Sequence, residues 1–137
     1  MHELLRDLHP EGASELERLN AAAWASADPA MLELCRLRVA QMLANRAALE
    51  GIDEAKLAEL DRWETSTAFT DAERASLAFT EQFVISVSSI TQAQVDALLA
   101  HSSPEDVRSF TAALYAVELS QRLDIVARAT FAEGEVT

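Results

Sequence analysis

The sequence predicts an all-α protein, and three observations carry that prediction. Ser14 with Glu17, Thr70 with Glu73 and Thr91 with Gln94 each have the capping-box spacing, followed by apolar residues at helical intervals. No segment alternates apolar and polar residues between hairpin turns. Only three glycines punctuate the 137 residues. About six helices are expected, in a single domain over residues 1–137, because no linker, tandem repeat or low-complexity run divides the chain.

Residues 1–9 can form a short helix, stopped by Pro10 and Gly12. A second helix is expected from Ser14 to Ala25, with Leu16, Leu19, Ala23 and Trp24 on its apolar side. The third is the organising one, from Asp28 to Gly51. Asp28 can accept from free N–H groups at its start, Pro29 suits the first turn, and Gly51 can take the left-handed conformation that ends a helix. Leu32, Cys35, Val39, Met42, Leu43 and Leu49 form its apolar side, interrupted by Glu33, Arg36, Arg38, Gln41, Asn45 and Arg46. Asp53 can cap a shorter helix carrying Leu57, Leu60 and Trp63, before a loop over residues 64–69.

The Thr70 box opens a helix with Ala75, Leu77, Phe79 and Phe83, which frays through the β-branched run Val84 to Val87. The Thr91 box opens another, with Val95, Leu98 and Leu99, ending near His101. Ser103 caps and Pro104 starts the last helix, which extends to about Phe131. Its apolar residues, among them Phe110, Leu114, Tyr115, Val117, Leu123 and Val126, cover more than one stripe, so it is buried on most sides. One of those sides is expected to meet another subunit.

Composition narrows the function. The net charge is −12 and the pI near 4.5. That excludes nucleic acid as a partner, since phosphate binding needs a basic surface, and disfavours anionic membranes. Half the residues are hydrophobic, but many are alanine and only 6% are aromatic. A helical chain with small side chains reaches adequate burial more easily as a homo-oligomer. Cys35 is the single cysteine, so no internal disulfide points to secretion. No basic-then-apolar leader and no membrane-length apolar run is visible. The expected location is cytoplasmic.

Cys35 lies on an apolar stripe two residues from Glu33, which reads as a core thiol. His2, His9 and His101 have no metal-pair spacing and read as surface residues, so no metal and no cofactor is expected. Glu33 can pair with Arg36 at i+3 as a structural salt bridge, or serve as a proton-transfer or ligand-binding carboxylate. Arg122 lies in a largely apolar helix and needs a carboxylate or a ligand, with Glu33, Glu81 and Glu118 as candidate partners. Gln41 and Asn45 are four residues apart, and on a continuous helix they share a face, with Glu33 two turns earlier.

Three blocks resemble the carboxymuconolactone decarboxylase and alkylhydroperoxidase D-like family. ELCRLRVAQMLANRAALEG, from Glu33, resembles its core helix, FTDAERASLAFTEQFV, from Phe69, the post-loop helix, and VRSFTAALYAVELSQRLDIV, from Val107, the last helix. Redox members carry E-x11-C-x2-C-x3-H. Here Glu33 matches the glutamate, while Asn45, Ala48 and Ile52 stand at the cysteine and histidine positions, and Gln121-Arg122 matches a pair that is often Asn-Arg. The resemblance implies a helical bundle assembling as a dimer, trimer or hexamer, with a pocket near the core helix. The missing cysteines remove dithiol peroxidase chemistry. What the resemblance leaves is a cofactor-free acid/base enzyme of the decarboxylase or lyase type, or a binder of a small organic acid. In that reading Glu33 is the catalytic residue and Gln41, Asn45 and Arg122 bind substrate. The alternative is a catalytically degenerate oligomeric scaffold.

Overall fold

A computed structural model of the chain describes residues 3–136, without the side chains of residue 4 and of residues 131–136. His2 and the side chain of Phe131 therefore lie outside the described residues. Seven α-helices are present among the described residues, one for each helical segment expected along the chain: α1 (Glu3–Leu8), α2 (Pro10–Ser26), α3 (Pro29–Met42), α4 (Glu54–Asp61), α5 (Asp71–Ile85), α6 (Gln92–Leu99) and α7 (Pro104–Val136). Two short 3₁₀ turns follow α3 and α5, at Arg46–Leu49 and Val87–Ser89. No described helix is long and apolar enough to cross a membrane.

Several ends fall where local chemistry puts them. Asp28 caps α3 by accepting from the Ala30 N–H at 3.1 Å. Asp53 does the same for α4. The capping boxes at Thr70 and Thr91 both form. The start of α2 differs from expectation. Pro10 follows the end of α1 at Leu8, as expected, but it also opens α2, and the His9 imidazole Nδ1 accepts from the Gly12 N–H at 2.9 Å. Gly12 suits this cap because a Cβ there would lie 2.7 Å from His9 Nδ1. Ser14 and Glu17 are consequently interior to the helix, and their capping box is not used.

The core is built on α3. Its Cys35 and Val39 pack with Phe79, Phe83, Leu98 and Leu114. Leu32 packs with Ala23, Ala113, Ala116 and Val117. Leu34 and Leu37 pack with Leu60, Trp63 and Leu77. One helix thus enters three clusters, meeting α2, α5 and α7 on different sides. Leu32, Leu37 and Leu114 are completely buried, and burial of each stabilises the fold by about 1.5–3 kcal/mol.

The expected Asp28–Gly51 helix is interrupted. It ends at Met42, and residues 43–45 turn out of it. Ala44 has φ +54°, the left-handed region. The Ala44 N–H reaches the Gln41 carbonyl at 3.2 Å and the Asn45 N–H reaches the Ala40 carbonyl at 2.8 Å. These two bonds form a Schellman motif, with alanine where glycine is usual. An L-residue in that conformation costs about 1–2 kcal/mol. Gly51, with φ +78°, does adopt the left-handed conformation, but after the 3₁₀ turn.

The interruption generates a stability prediction. Ala44→Gly should raise the unfolding free energy by about 0.5–1 kcal/mol, the relief of left-handed strain exceeding the entropy that glycine adds to the unfolded chain. Gly51→Ala should lower it by about 1 kcal/mol, although a Cβ at Gly51 would meet nothing within 4 Å. Urea denaturation of the two variants beside the wild type measures both, and a destabilised Ala44→Gly variant would contradict the assigned turn.

Candidate functional site

The polar residues of α3 fall into two networks on opposite sides of the helix. In the first, Arg36 grips Glu33 through two bonds, Nε to Oε2 at 2.8 Å and Nη2 to Oε1 at 2.6 Å. The same guanidinium donates from Nη1 to the Ala48 carbonyl at 3.3 Å. Its bond to Glu33 raises the Arg36 pKa further, although partial burial works the other way. The Arg36 carbonyl accepts from Gln121 Nε2 at 2.9 Å, and Gln121 Oε1 accepts from Asn45 Nδ2 at 3.1 Å. Glu33, Arg36, Ala48, Asn45 and Gln121 are therefore one connected set, joining α3 and the 43–48 turn to α7.

In the second network, Arg38 has a side chain only 13% exposed and meets Glu81 of α5, itself 18% exposed. Arg38 Nε lies 3.0 Å and Nη2 2.9 Å from Glu81 Oε1, which also accepts from Trp63 Nε1 at 2.7 Å. Arg38 Nη1 donates to Gln41 Oε1 and Asp61 Oδ1, and Gln41 Nε2 donates to the Leu57 carbonyl. A buried guanidinium requires such partners, because an unpaired charge in the core costs several kcal/mol, on the order of 3–5. This network ties α3 to α4 and α5.

The structure thus brings Glu33 and Asn45 into one network but separates them from the other two expected site residues. Gln41 faces α4, because α3 ends before the helical phase that was to align it with Asn45. Arg122 sits half-exposed on α7, bonded to Glu118 and, at 3.4 Å, to the Val84 carbonyl. Of its three candidate partners it takes Glu118. Glu33 goes to Arg36 and Glu81 to Arg38.

Asn45 and Ala48 line an open groove of about 710 Å³ between α2 and α7. Gln121 and Ser120 of α7 and Asn20 and Trp24 of α2 form its walls, and Glu17, Asp124 and Arg128 stand at its rim. Asn20 Nδ2 donates to Ser120 Oγ at 2.7 Å, and Arg128 pairs with Asp124. Asn45 and Gln121 are 5% and 7% exposed, and each amide nitrogen retains a second N–H that these bonds leave unused. Gln121 was visible in the sequence only as half of a family pair. A buried amide in an apolar stretch of α7 was the signal that it binds something internal. Arg38 gave a similar signal, a cation in the middle of the most buried helix.

Cys35 is completely buried among Val39, Phe79 and Leu114. Burial pushes its pKa up to about 12, with Glu73 adding to the rise and a hydrogen bond to Thr80 opposing it. A thiol held protonated cannot act as a nucleophile at neutral pH.

No protein-family model and no curated protein matches the sequence. Among solved structures, the chain is similar to the crystal structure of a protein of unknown function from Agrobacterium tumefaciens, suggested to be the antioxidant defence protein AhpD. The TM-score is 0.74 at 20% sequence identity, over 91% of this chain and 93% of that one.

The buried thiol should modify only through unfolding. Alkylation of Cys35 at pH 7 should run orders of magnitude slower than in urea, at a rate set by global opening. Because the folded pKa lies above the ordinary value of 9.0, the stability contributed by the protonated thiol is complete below pH 9 and is lost as pH rises toward 12. Rapid alkylation of the native protein at neutral pH would contradict the assigned burial.

The fold of the chain is the AhpD-like all-helical one.

Proposed function

We propose that the protein is a dithiol-free member of the carboxymuconolactone decarboxylase and alkylhydroperoxidase D-like family that binds a small organic acid in the groove beside Asn45. The observation that supports this most is the Asn45–Gln121 pair at the position of the missing redox centre. Its two unused amide N–H groups suit a carboxylate or carbonyl oxygen. Arg128 is the groove's cation, and an anionic ligand would compete with Asp124 for it.

Binding has more support here than turnover. Acid/base catalysis by Glu33 needs its carboxylate at the substrate, but Glu33 is not among the residues lining the groove and Arg36 bonds both its oxygens. Gln41 and Arg122 lie away from the groove. The scaffold reading is favoured by one separate observation: Glu33, Arg36, Asn45 and Gln121 are bonded into one set, so the turn is held in place with no ligand.

Calorimetric titration with a panel of short mono- and dicarboxylic acids decides between them. Wild-type protein should bind at least one of them, and Ala48→Trp, which fills the groove from a partly exposed position, should weaken that binding about tenfold or more. Glu33→Gln should leave it within about twofold. Peroxide consumption with a dithiol reductant should stay at the buffer rate for every variant. Failure of the whole panel to bind would leave the scaffold reading.

The same reading includes a homo-oligomer, with its contact surface on the exposed apolar residues of α7 and the end of α5. Leu114 and Val117 are 0% and 3% exposed and belong to the subunit core. Tyr115 and Val126 are 58% and 57% exposed, and Ile85 and Val87 at the end of α5 are 70% and 61% exposed. Tyr115→Glu should therefore dissociate the assembly while keeping the helical circular dichroism spectrum, whereas Leu114→Glu should unfold the subunit. Light scattering that shows a wild-type monomer of 15.0 kDa at micromolar concentration would remove the oligomer from the proposal.

A further inference from the structure

A second cavity lies away from the Asn45 groove, between the α2–α3 corner and the α6–α7 corner. Its volume is about 260 Å³. Met31, Leu98, Val107 and Phe110 give it an apolar floor, and Asp28, His101 and Asp106 stand among its polar lining residues. No lysine or arginine lines it.

Ser76 of α5 marks the cavity as more than a packing gap. It is only 6% exposed and lines the space. A buried serine or threonine within a helix commonly donates to the carbonyl four residues back. Thr80, Thr111 and Ser120 all do so here, at 2.7, 2.8 and 2.7 Å. The Ser76 hydroxyl makes no such bond and has no other partner among the described residues, yet no polar side-chain atom is sealed in without one. Its oxygen therefore reaches open space, and the space beside it is this cavity. A nearly buried hydroxyl left in that state loses the hydrogen bond that a polar ligand atom would restore.

The charged groups indicate the other end of the ligand. Asp28 uses Oδ1 to accept from Ala30, and its second oxygen has no partner among the described residues. Asp106 donates its backbone N–H to Ser103 Oγ, and its carboxylate likewise has no described partner. Two exposed carboxylates with open acceptor positions, and no lysine or arginine in the lining beside them, favour a positive head group in a chain of net charge −12.

We propose that this cavity binds a small organic ammonium compound, its cation between Asp28 and Asp106, its compact apolar body on Phe110 and Leu98, and a second polar atom at Ser76. Tyramine is a suitable probe, because close analogues lack one group each. Phenethylamine lacks the hydroxyl, tyrosol lacks the ammonium, and 4-hydroxyphenylacetate reverses the charge.

Titration followed by ¹H–¹⁵N NMR tests the assignment. Tyramine should shift the amides of Ser76, Leu98 and Val107, tyrosol should bind about fivefold more weakly, and 4-hydroxyphenylacetate should not bind there. Asp106→Asn should weaken tyramine about fivefold. Asp28→Asn should do the same while keeping the α3 cap, because asparagine caps as well as aspartate. Ser76→Ala should reduce tyramine to the affinity of phenethylamine and leave phenethylamine unchanged, an outcome that general loosening of the fold would not give. Equal binding of tyramine and tyrosol would overturn the charged site. Shifts confined to the Asn45 groove, or no shift at about 10 mM tyramine, would overturn the cavity as a site.

Discussion

Beyond its first two residues α3 has no fully exposed position, and the rest of the structure answers to that. A helix packed on α2, α5 and α7 must bury apolar groups in several directions, and Leu32, Cys35, Leu37 and Val39 do so with no exposed surface left. Yet the same fourteen residues include Glu33, Arg36, Arg38 and Gln41. Each polar group then needs a partner within reach, since desolvation without one exceeds what a neighbouring leucine contributes. Arg38 draws in Glu81, Trp63, Asp61 and Gln41, fixing α4 and α5 against the hub. Arg36 draws in Glu33 and the Ala48 carbonyl, holding the segment beyond the helix. The polar residues that looked like a reaction centre in the sequence are, to a large extent, the means by which this helix is buried at all.

The turn after Met42 shows how far sequence reading reaches. Helix starts were legible where the deciding partner is two or three residues away, as at Asp28, Thr70 and Thr91. The end of α3 was not, because no glycine or proline marks it and the apolar spacing runs on to Leu49. Its determinants are distant: Asn45 bonds to Gln121, 76 residues along the chain, and Gln121 bonds to the Arg36 carbonyl, 85 residues back. Once those contacts win over helix propensity, Ala44 accepts a left-handed conformation. The start of α2 failed for a local reason instead. Pro10 was read as a stop, whereas proline in a first turn, with His9 supplying the cap, is equally a start.

The candidate site divided along the same line. Glu33 with Arg36 was readable from i,i+3 spacing, and Glu33 does reach Asn45 through Arg36, Ala48 and Gln121. Gln41 was placed with Asn45 only by assuming a continuous helix. Arg122 was expected to need a carboxylate, with Glu33, Glu81 and Glu118 as candidates, and it takes Glu118, one turn before it on the same helix. Local pairs form with little loop entropy to overcome, so they generally outcompete equivalent partners across the fold. An arginine with an acidic residue at i−4 is therefore weak evidence of an anion site, whatever its family position.

Ionic pairing also separates the two cavities chemically. Arg36, Arg38, Arg122 and Arg128 are engaged with Glu33, Glu81, Asp61, Glu118 and Asp124. An acid entering the Asn45 groove must rely on the amide donors of Asn45 and Gln121, with Arg128 shared with Asp124, so selectivity there rests on hydrogen-bond geometry more than on charge. At the Ser76 cavity the imbalance runs the other way, with carboxylates and no lysine or arginine in the lining. The net charge of −12 reinforces that difference, because the field of the whole protein raises the local concentration of cations and lowers that of anions at either mouth. Raising ionic strength screens this field over about 8–10 Å. Added salt should therefore help an acid reach the groove and hinder an amine reaching the cavity, opposite responses that follow from one charge distribution.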